Sequence, residues 1–208
     1  MNTIDPAGTD TGHFTTAALL AGGRSTRMGQ DKAYLPVDWE GASLPLWKRQ
    51  LTVLRSIAPE ELVISGPRKR GYPASVTVWP DNWTGVGPLG GIATCLSRTR
   101  SAFVLFLAID LPRIQPGFLE KLLARSVVGC GVVPRHDHRF EPLISLYPKA
   151  ALAVALDQLR KQDYVLQHFV AKLLENRLMM SYEIEADERI QLENWNTPAD
   201  LGSAPEGD

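Results

Sequence analysis

The chain has 208 residues, 44% of them apolar, enough for one large α/β core or two small ones. Its formal net charge is −1, so nothing in the overall balance favours nucleic acid, and any positive charge that matters must be local. The two cysteines, Cys95 and Cys130, make neither a disulfide framework nor a zinc site and read as small buried residues of a reducing compartment.

No apolar run nears the ~18 residues needed to span a bilayer, so no membrane association is expected. Residues 1–15 lack the basic and apolar regions of a signal peptide. These features predict a cytoplasmic protein with a disordered leader over 1–15, one domain over 16–201 and a flexible tail over 202–208.

In chain order, an apolar run at 17–20 reads as a buried strand that empties at Gly22-Gly23 into a basic loop ending in Asp31-Lys32. A short apolar segment at 33–37 and a turn near Glu40-Gly41 follow. Pro45-Leu46-Trp47 opens a helix to about Ile57, since proline suits a first helical turn. Glu61–Ser65 is a strand closed by Gly66-Pro67, and 75–79 is a third, ended by Pro80-Asp81. A glycine-dense loop over 82–91 leads into a helix ending at Arg98. The most apolar run, AFVLFLAI at 102–109, is a buried central strand terminated by Asp110-Leu111-Pro112. A helix from Pro116 to Arg125 follows. Strands are expected over 127–133 and 142–147, helices over 150–159 and 165–178, an edge strand over 182–184, and a capped turn at Thr197-Pro198. Strands alternating with helices up to about 127 imply a mostly parallel, three-layer α/β sheet, with a mixed section after 128.

Three stretches could carry chemistry: 21–32, 81–91 and the strand end at Asp110. In a parallel sheet their loops share the carboxyl edge, where open α/β sheets bind nucleotides. In the first, Gly22 and Gly23 let the backbone approach a ligand, and loop amides with Arg24, Arg27 and Lys32 can face an anion. It is not a Walker A loop, because no Ser or Thr follows Lys32.

Residues 85–90 spell G-x-G-x-x-G, and Asp110 lies about twenty residues on, as in a dinucleotide fingerprint. Five residues separate the first glycine from its strand, however, and Pro88 lacks an amide donor. A structural turn and a pocket-lining loop are the other readings. Asp110 is either a cap of the turn before Pro112 or a hard oxygen ligand for Mg2+, which binds through one or two carboxylates plus substrate phosphates. Asp81 ends another strand in the same way. His136 and His138 read as an exposed turn and His168 as a helix residue, with no Ser-His-Asp or Cys-His arrangement.

The run Leu20-Ala-Gly-Gly-Arg-Ser-Thr-Arg-Met-Gly-Gln-Asp-Lys32 resembles the signature loop of nucleotidyltransferases of the molybdenum cofactor guanylyltransferase type. The resemblance continues through Pro45-Leu46-Trp47, Asp81, Gly87-Pro88-Leu89-Gly90-Gly91, Asp110-Leu111-Pro112, Glu141-Pro142-Leu143 with Tyr147, and Asn194-x-Asn196-Thr197-Pro198. It covers about 16 to 201, and the paired glycines favour the guanylyl branch over the cytidylyl one.

It implies a Rossmann-like nucleotidyltransferase fold and transfer of GMP from GTP to molybdenum-molybdopterin, with pyrophosphate released. By position, Leu20, Ala21, Gly22 and Gly23 would line the nucleotide, with Gly87 and Leu89 beside it. Lys32 would meet the phosphates, and Arg27 would help to hold the leaving pyrophosphate. Asp81 would belong to the GTP site, Asp110 would bind GTP and Mg2+, and Asn194 and Asn196 would lie near the metal and the pterin phosphate. Ser65, where relatives often have Asn, would be a further nucleotide contact, and Gln162-Asp163-Tyr164 departs from their Gly-x-Arg. Protein partners would come from cofactor biosynthesis or molybdoenzyme maturation. A cytidylyl- or sugar-phosphate nucleotidyltransferase with another acceptor, and a nucleotide-binding accessory protein without turnover, are the alternatives.

Overall fold

A computed structural model describes residues 15–22 and 31–195. The expected leader, all but its last residue, the tail, Gly23, Arg24, Arg27, Asn196 and the Thr197-Pro198 cap lie outside the described residues. The elements are β1 (Thr15–Leu20), β2 (Pro36–Trp39), β3 (Ala42–Pro45), α1 (Leu46–Ser56), β4 (Glu61–Ser65), β5 (Thr77–Trp79) and α2 (Pro88–Arg98). They continue with β6 (Phe103–Ala108), α3 (Pro116–Arg125), β7 (Gly131–His136), β8 (Arg139–Phe140), β9 (Leu146–Pro148), α4 (Ala151–Lys161), α5 (Leu166–Glu175) and β10 (Met179–Glu183).

The main sheet has the order β10-β7-β9-β6-β1-β4-β5, with β8 hairpinned onto β7. β6, β1, β4 and β5 run parallel to one another. β9 is antiparallel to both β6 and β7, and β10 runs parallel to β7 at the edge. The parallel sheet with a mixed C-terminal part is the architecture expected from the alternation of elements.

β1 and β6 are buried along their whole length, as central strands covered on both faces must be. Their side chains alternate between two cores. Leu19, Phe103, Leu105 and Leu107 pack against α1 and α3. Leu20, Val104 and Phe106 pack against α2, α4 and α5. This split makes the three layers.

The turn expected near Glu40-Gly41 is present: the segment after Lys32 is a 3-10 turn (Lys32–Tyr34) and a β2–β3 hairpin apart from the main sheet, turning at Glu40 and Gly41, both with positive φ. Three local expectations are corrected. Residues 127–130 form a tight turn rather than a strand, because Gly129 has φ +76° and Val127 and Cys130 bond each other. The strand starts only at Gly131, where a Cβ would run into Leu146 O of the neighbouring antiparallel β9.

The strand expected over 142–147 is regular only at Leu146–Pro148, since Pro142 has no N–H to give the ladder. Cys95 is buried, but Cys130 is half-buried. Among the described residues no helix is long and apolar enough to cross a membrane.

Phe106 is fully buried and edge-on to Tyr147, with centroids 5.5 Å apart. Phe106→Ala is expected to cost about 3–5 kcal/mol of unfolding free energy, read from urea denaturation.

Candidate active site

Four parallel strands end in one row. Ala108 of β6, Leu20 of β1, Ser65 of β4 and Trp79 of β5 are register partners in turn. The ladder continues one bond further: Ile109 N donates to Leu20 O at 3.1 Å, Ala21 N to Ser65 O at 3.0 Å and Gly66 N to Trp79 O at 2.9 Å. The residues that follow, Asp110, Gly22, Gly66 and Asp81, therefore emerge side by side. The chain leaves β1 toward β4 and β5 and returns to β6 on its other side, the strand reversal beside which open sheets take ligands.

Glycine is required at the centre of this row. Gly66 has φ +125°, and a Cβ there would lie 2.8 Å from the backbone of Gly22. A Cβ on Gly22 would lie 3.2 Å from Asp81 Oδ2. The floor of the edge is thus two touching backbones with a carboxylate at one side. Leu20 and Ala21 are buried beneath it, so their contribution to a ligand would be main-chain.

At the β5 end, Ser65 Oγ donates to Asp81 Oδ1 at 3.0 Å from a buried position. Burial pushes the Asp81 carboxyl above the usual range, while the Ser65 hydrogen bond and Arg98 pull it back. Helix α2 starts hard against this loop: a Cβ on Gly90 would lie 2.4 Å from Trp83 O, and one on Gly91 2.9 Å from Ser65 Oγ. The G-x-G-x-x-G run is thereby explained. Gly85 and Gly87 are turn residues with positive φ, and Gly90 is a close-packing residue inside the helix. Leu89 is fully buried, so it can offer a ligand only backbone, and Gly87 caps the helix.

At the β6 end, Asp110 accepts from Lys32 Nζ at 3.2 Å, both side chains largely shielded. Lys32 is placed by its neighbours. Asp31 caps the short turn by accepting from Ala33 N and is held by Lys69 Nζ at 2.8 Å. Tyr34 OH donates to Arg70 O. The loop after β4 thus anchors the return of the loop after β1. Lys69 looks like a plain solvated charge in the sequence, and no local signal marks its pairing with Asp31.

From the far end of the chain, Trp195 N donates to Asp110 O at 2.9 Å, bringing the exposed Asn194 to the same end of the site. Asp81 and Asp110 stand three strand spacings apart, about 14 Å at the backbone, so they serve different parts of a ligand.

Among the described residues no three His, Cys, Asp or Glu side chains form a metal cage. The Asp110 carboxylate, paired with Lys32 and still partly exposed, does fit Mg2+, which keeps waters and takes its other ligands from phosphates. Among the described histidines, His136 pairs with Glu141 at 3.1 Å and His168 with Asp163 at 3.0 Å. Gln162, at the departure from Gly-x-Arg, ends α4 with φ +57°. Beyond it an open recess of about 400 Å³ is lined by Trp83, Val86, Leu156, Leu159, Arg160 and Tyr164.

Because the folded pKa of Asp81 is raised, the folded state holds more protons there, and stability falls as pH rises through the carboxylate range. Ser65→Ala removes a bond to the ionised form, so it should push that pKa higher still. It should cost about 1–2 kcal/mol at neutral pH, checked by urea unfolding across pH and NMR titration of the carboxyl.

Residues 17–177 match the family model of the MobA-like NTP transferase domain. A probable molybdenum cofactor guanylyltransferase of Opitutus terrae is 37% identical over 187 residues, covering 88% of this chain and 91% of that one. One of Pelotomaculum thermopropionicum is 32% identical over 190 residues, covering 91% of each. The crystal structure of molybdopterin-guanine dinucleotide biosynthesis protein A from Archaeoglobus fulgidus superposes with a TM-score of 0.67 at 25% identity, covering 90% of this chain and 95% of that one. The matched segment takes in the strand-end row, both carboxylates and helices α1 to α5, and the chain belongs to the MobA-like NTP transferase family.

Proposed function

We propose that this protein transfers GMP from GTP to molybdenum-molybdopterin, giving the guanine dinucleotide form of the cofactor and pyrophosphate. The observation that carries the reading is the strand-end row, which sets a glycine floor between the Lys32–Asp110 pair and the half-buried Asp81. The names of the relatives support GTP and molybdopterin as the two substrates.

The chemistry asks little covalent help of the protein. An oxygen of the acceptor's terminal phosphate attacks the α-phosphorus of GTP, the α–β bridging bond breaks, and pyrophosphate leaves with the electron pair. Alignment and charge neutralisation carry such a transfer. The Gly22–Gly66 floor lets the nucleotide lie close to main chain. Asp81, braced by Ser65, stands at the nucleoside end, and a carboxylate there can accept from the ring N–H and amino groups of guanine. Lys32 holds phosphate oxygens at the other end, with Arg27 from the loop after Gly22 as a second cation. Asp110 would hold Mg2+, which when bound supplies charge neutralisation at the phosphates. Asn194 and Asn196 would serve the acceptor side of that group.

With purified protein, pyrophosphate release should require molybdenum-molybdopterin and GTP; turnover with CTP in place of GTP would overturn the assignment. Asp110→Asn should lower kcat by about 100-fold or more, the equivalent of losing some 3 kcal/mol of charge stabilisation. Lys32→Ala should lower kcat/KM for GTP by a similar factor of about 100 through lost phosphate contacts. Asp110→Asn turning over at the wild-type rate would remove Asp110 from the metal role.

A further inference from the structure

Helix α1 carries two polar side chains where an amphipathic helix should be apolar. Arg49 is 2% exposed and Gln50 0%. Both reach into the turn that follows β6. Gln50 Nε2 donates to Ala108 O at 3.2 Å and to Leu111 O at 2.9 Å, with Ile109 O at 3.5 Å. Arg49 Nη2 donates to Ile114 O at 2.6 Å.

These bonds account for carbonyls that the sheet leaves behind. Beyond β6 the backbone oxygens of 108–111 have left the sheet ladder, and buried carbonyls must find donors; Leu111 O also accepts from Ile114 N at 3.4 Å. A primary amide has two N–H groups and can serve two of them at once. Asp110 O is taken separately, by Trp195 N. The main chain on both sides of Asp110 is therefore tied to one buried side chain.

The amide also has a defined orientation. Arg49 Nη1 donates to Gln50 Oε1 at 2.8 Å. Guanidinium has only donors, so the oxygen of Gln50 must face Arg49 and its nitrogen must face the turn. Arg49 in turn lies 4.4 Å over the ring of Trp39, on the β2–β3 hairpin. Hairpin, helix and turn form one chain of contacts ending at the main chain on either side of Asp110.

We propose that Gln50, oriented by Arg49, is a positioning residue for Asp110: it fixes the 108–111 turn and so presents the carboxylate to the metal. The inference rests on Asp110 being the metal ligand of the proposed reaction. Groups that orient a metal ligand typically change metal affinity by about 10- to 100-fold when removed.

The test uses Mn2+ as a paramagnetic probe, titrated by electron paramagnetic resonance into the full chain saturated with guanosine 5′-(α,β-methylene)triphosphate. Gln50→Leu removes the amide. Gln50→Glu keeps its size and can pair with Arg49 but has no N–H to give. Both should weaken Mn2+ binding about tenfold and lower kcat, while the KM for GTP stays near the wild-type value. Should Gln50→Leu fail to fold, Gln50→Glu supplies the same measurement. Leu173→Ala, in the core on the opposite face of the sheet, serves as the control for lost stability alone and should leave Mn2+ binding unchanged.

Wild-type Mn2+ affinity in the Gln50 variants, or equal weakening in Leu173→Ala, would overturn the positioning role. Asp110→Asn is run beside them. Unchanged Mn2+ affinity in that variant means the metal reading itself has failed; weakened affinity there with normal Gln50 variants means that only the positioning role has.

Discussion

The site depends on four parallel strands stopping in register. Ala108, Leu20, Ser65 and Trp79 stand opposite one another, and each neighbouring pair gains one more main-chain bond before the chains diverge. Moving β6 by one residue relative to β1 would exchange the two cores along the whole strand, because successive side chains face opposite layers. That cost is what fixes the register of the edge. Asp110, Gly22, Gly66 and Asp81 inherit their relative positions from the ladder rather than from contacts with one another.

On that frame each end of the site is finished differently. The Asp81 end is a packed end. Glycines at 22, 66, 90 and 91 bring β1, β4 and α2 into contact around a half-buried carboxyl braced by Ser65. The Asp110 end is a pinned end. Its carboxylate meets Lys32, its main chain meets Gln50 and Trp195, and both Lys32 and Gln50 are held by further pairs, Asp31 with Lys69 and Arg49 with Trp39. In the proposed reaction the packed end would take the base and the pinned end the phosphates.

Much of this could be read from residues alone. Uninterrupted apolar runs at 17–20 and 102–109 mark the central strands, and Gly22, Asp81 and Asp110 stand out because each follows a strand. Lys32 stands out by closing a basic loop. Ser65 stands out by ending a strand, and only the structure shows that its hydroxyl is directed at Asp81. Arg49 and Gln50 leave a trace in the sequence, since they fall among Leu46, Leu51, Val53 and Leu54 on the buried side of α1, but nothing local says what they bond. The turn at 127–130 was hidden by the valines beside its glycine, which carry strand propensity into a bend.

The sequence by itself determined most of the strands and helices, with 127–130 and the start of the 142–147 segment as exceptions, which loops are glycine-rich or charged, and that the first loop is not a Walker A motif. Those are properties of short windows, where periodicity and turn chemistry act between residues close in the chain. Only the tertiary structure decided that β9 enters between β6 and β7, that Lys32 meets Asp110 across 78 positions and that Gln50 meets Leu111 across 61. Such pairings are bonds between distant donors and acceptors. A serine, a lysine or a glutamine has the same chemistry wherever it stands, and it takes a role only when the sheet register brings its partner within about 3 Å.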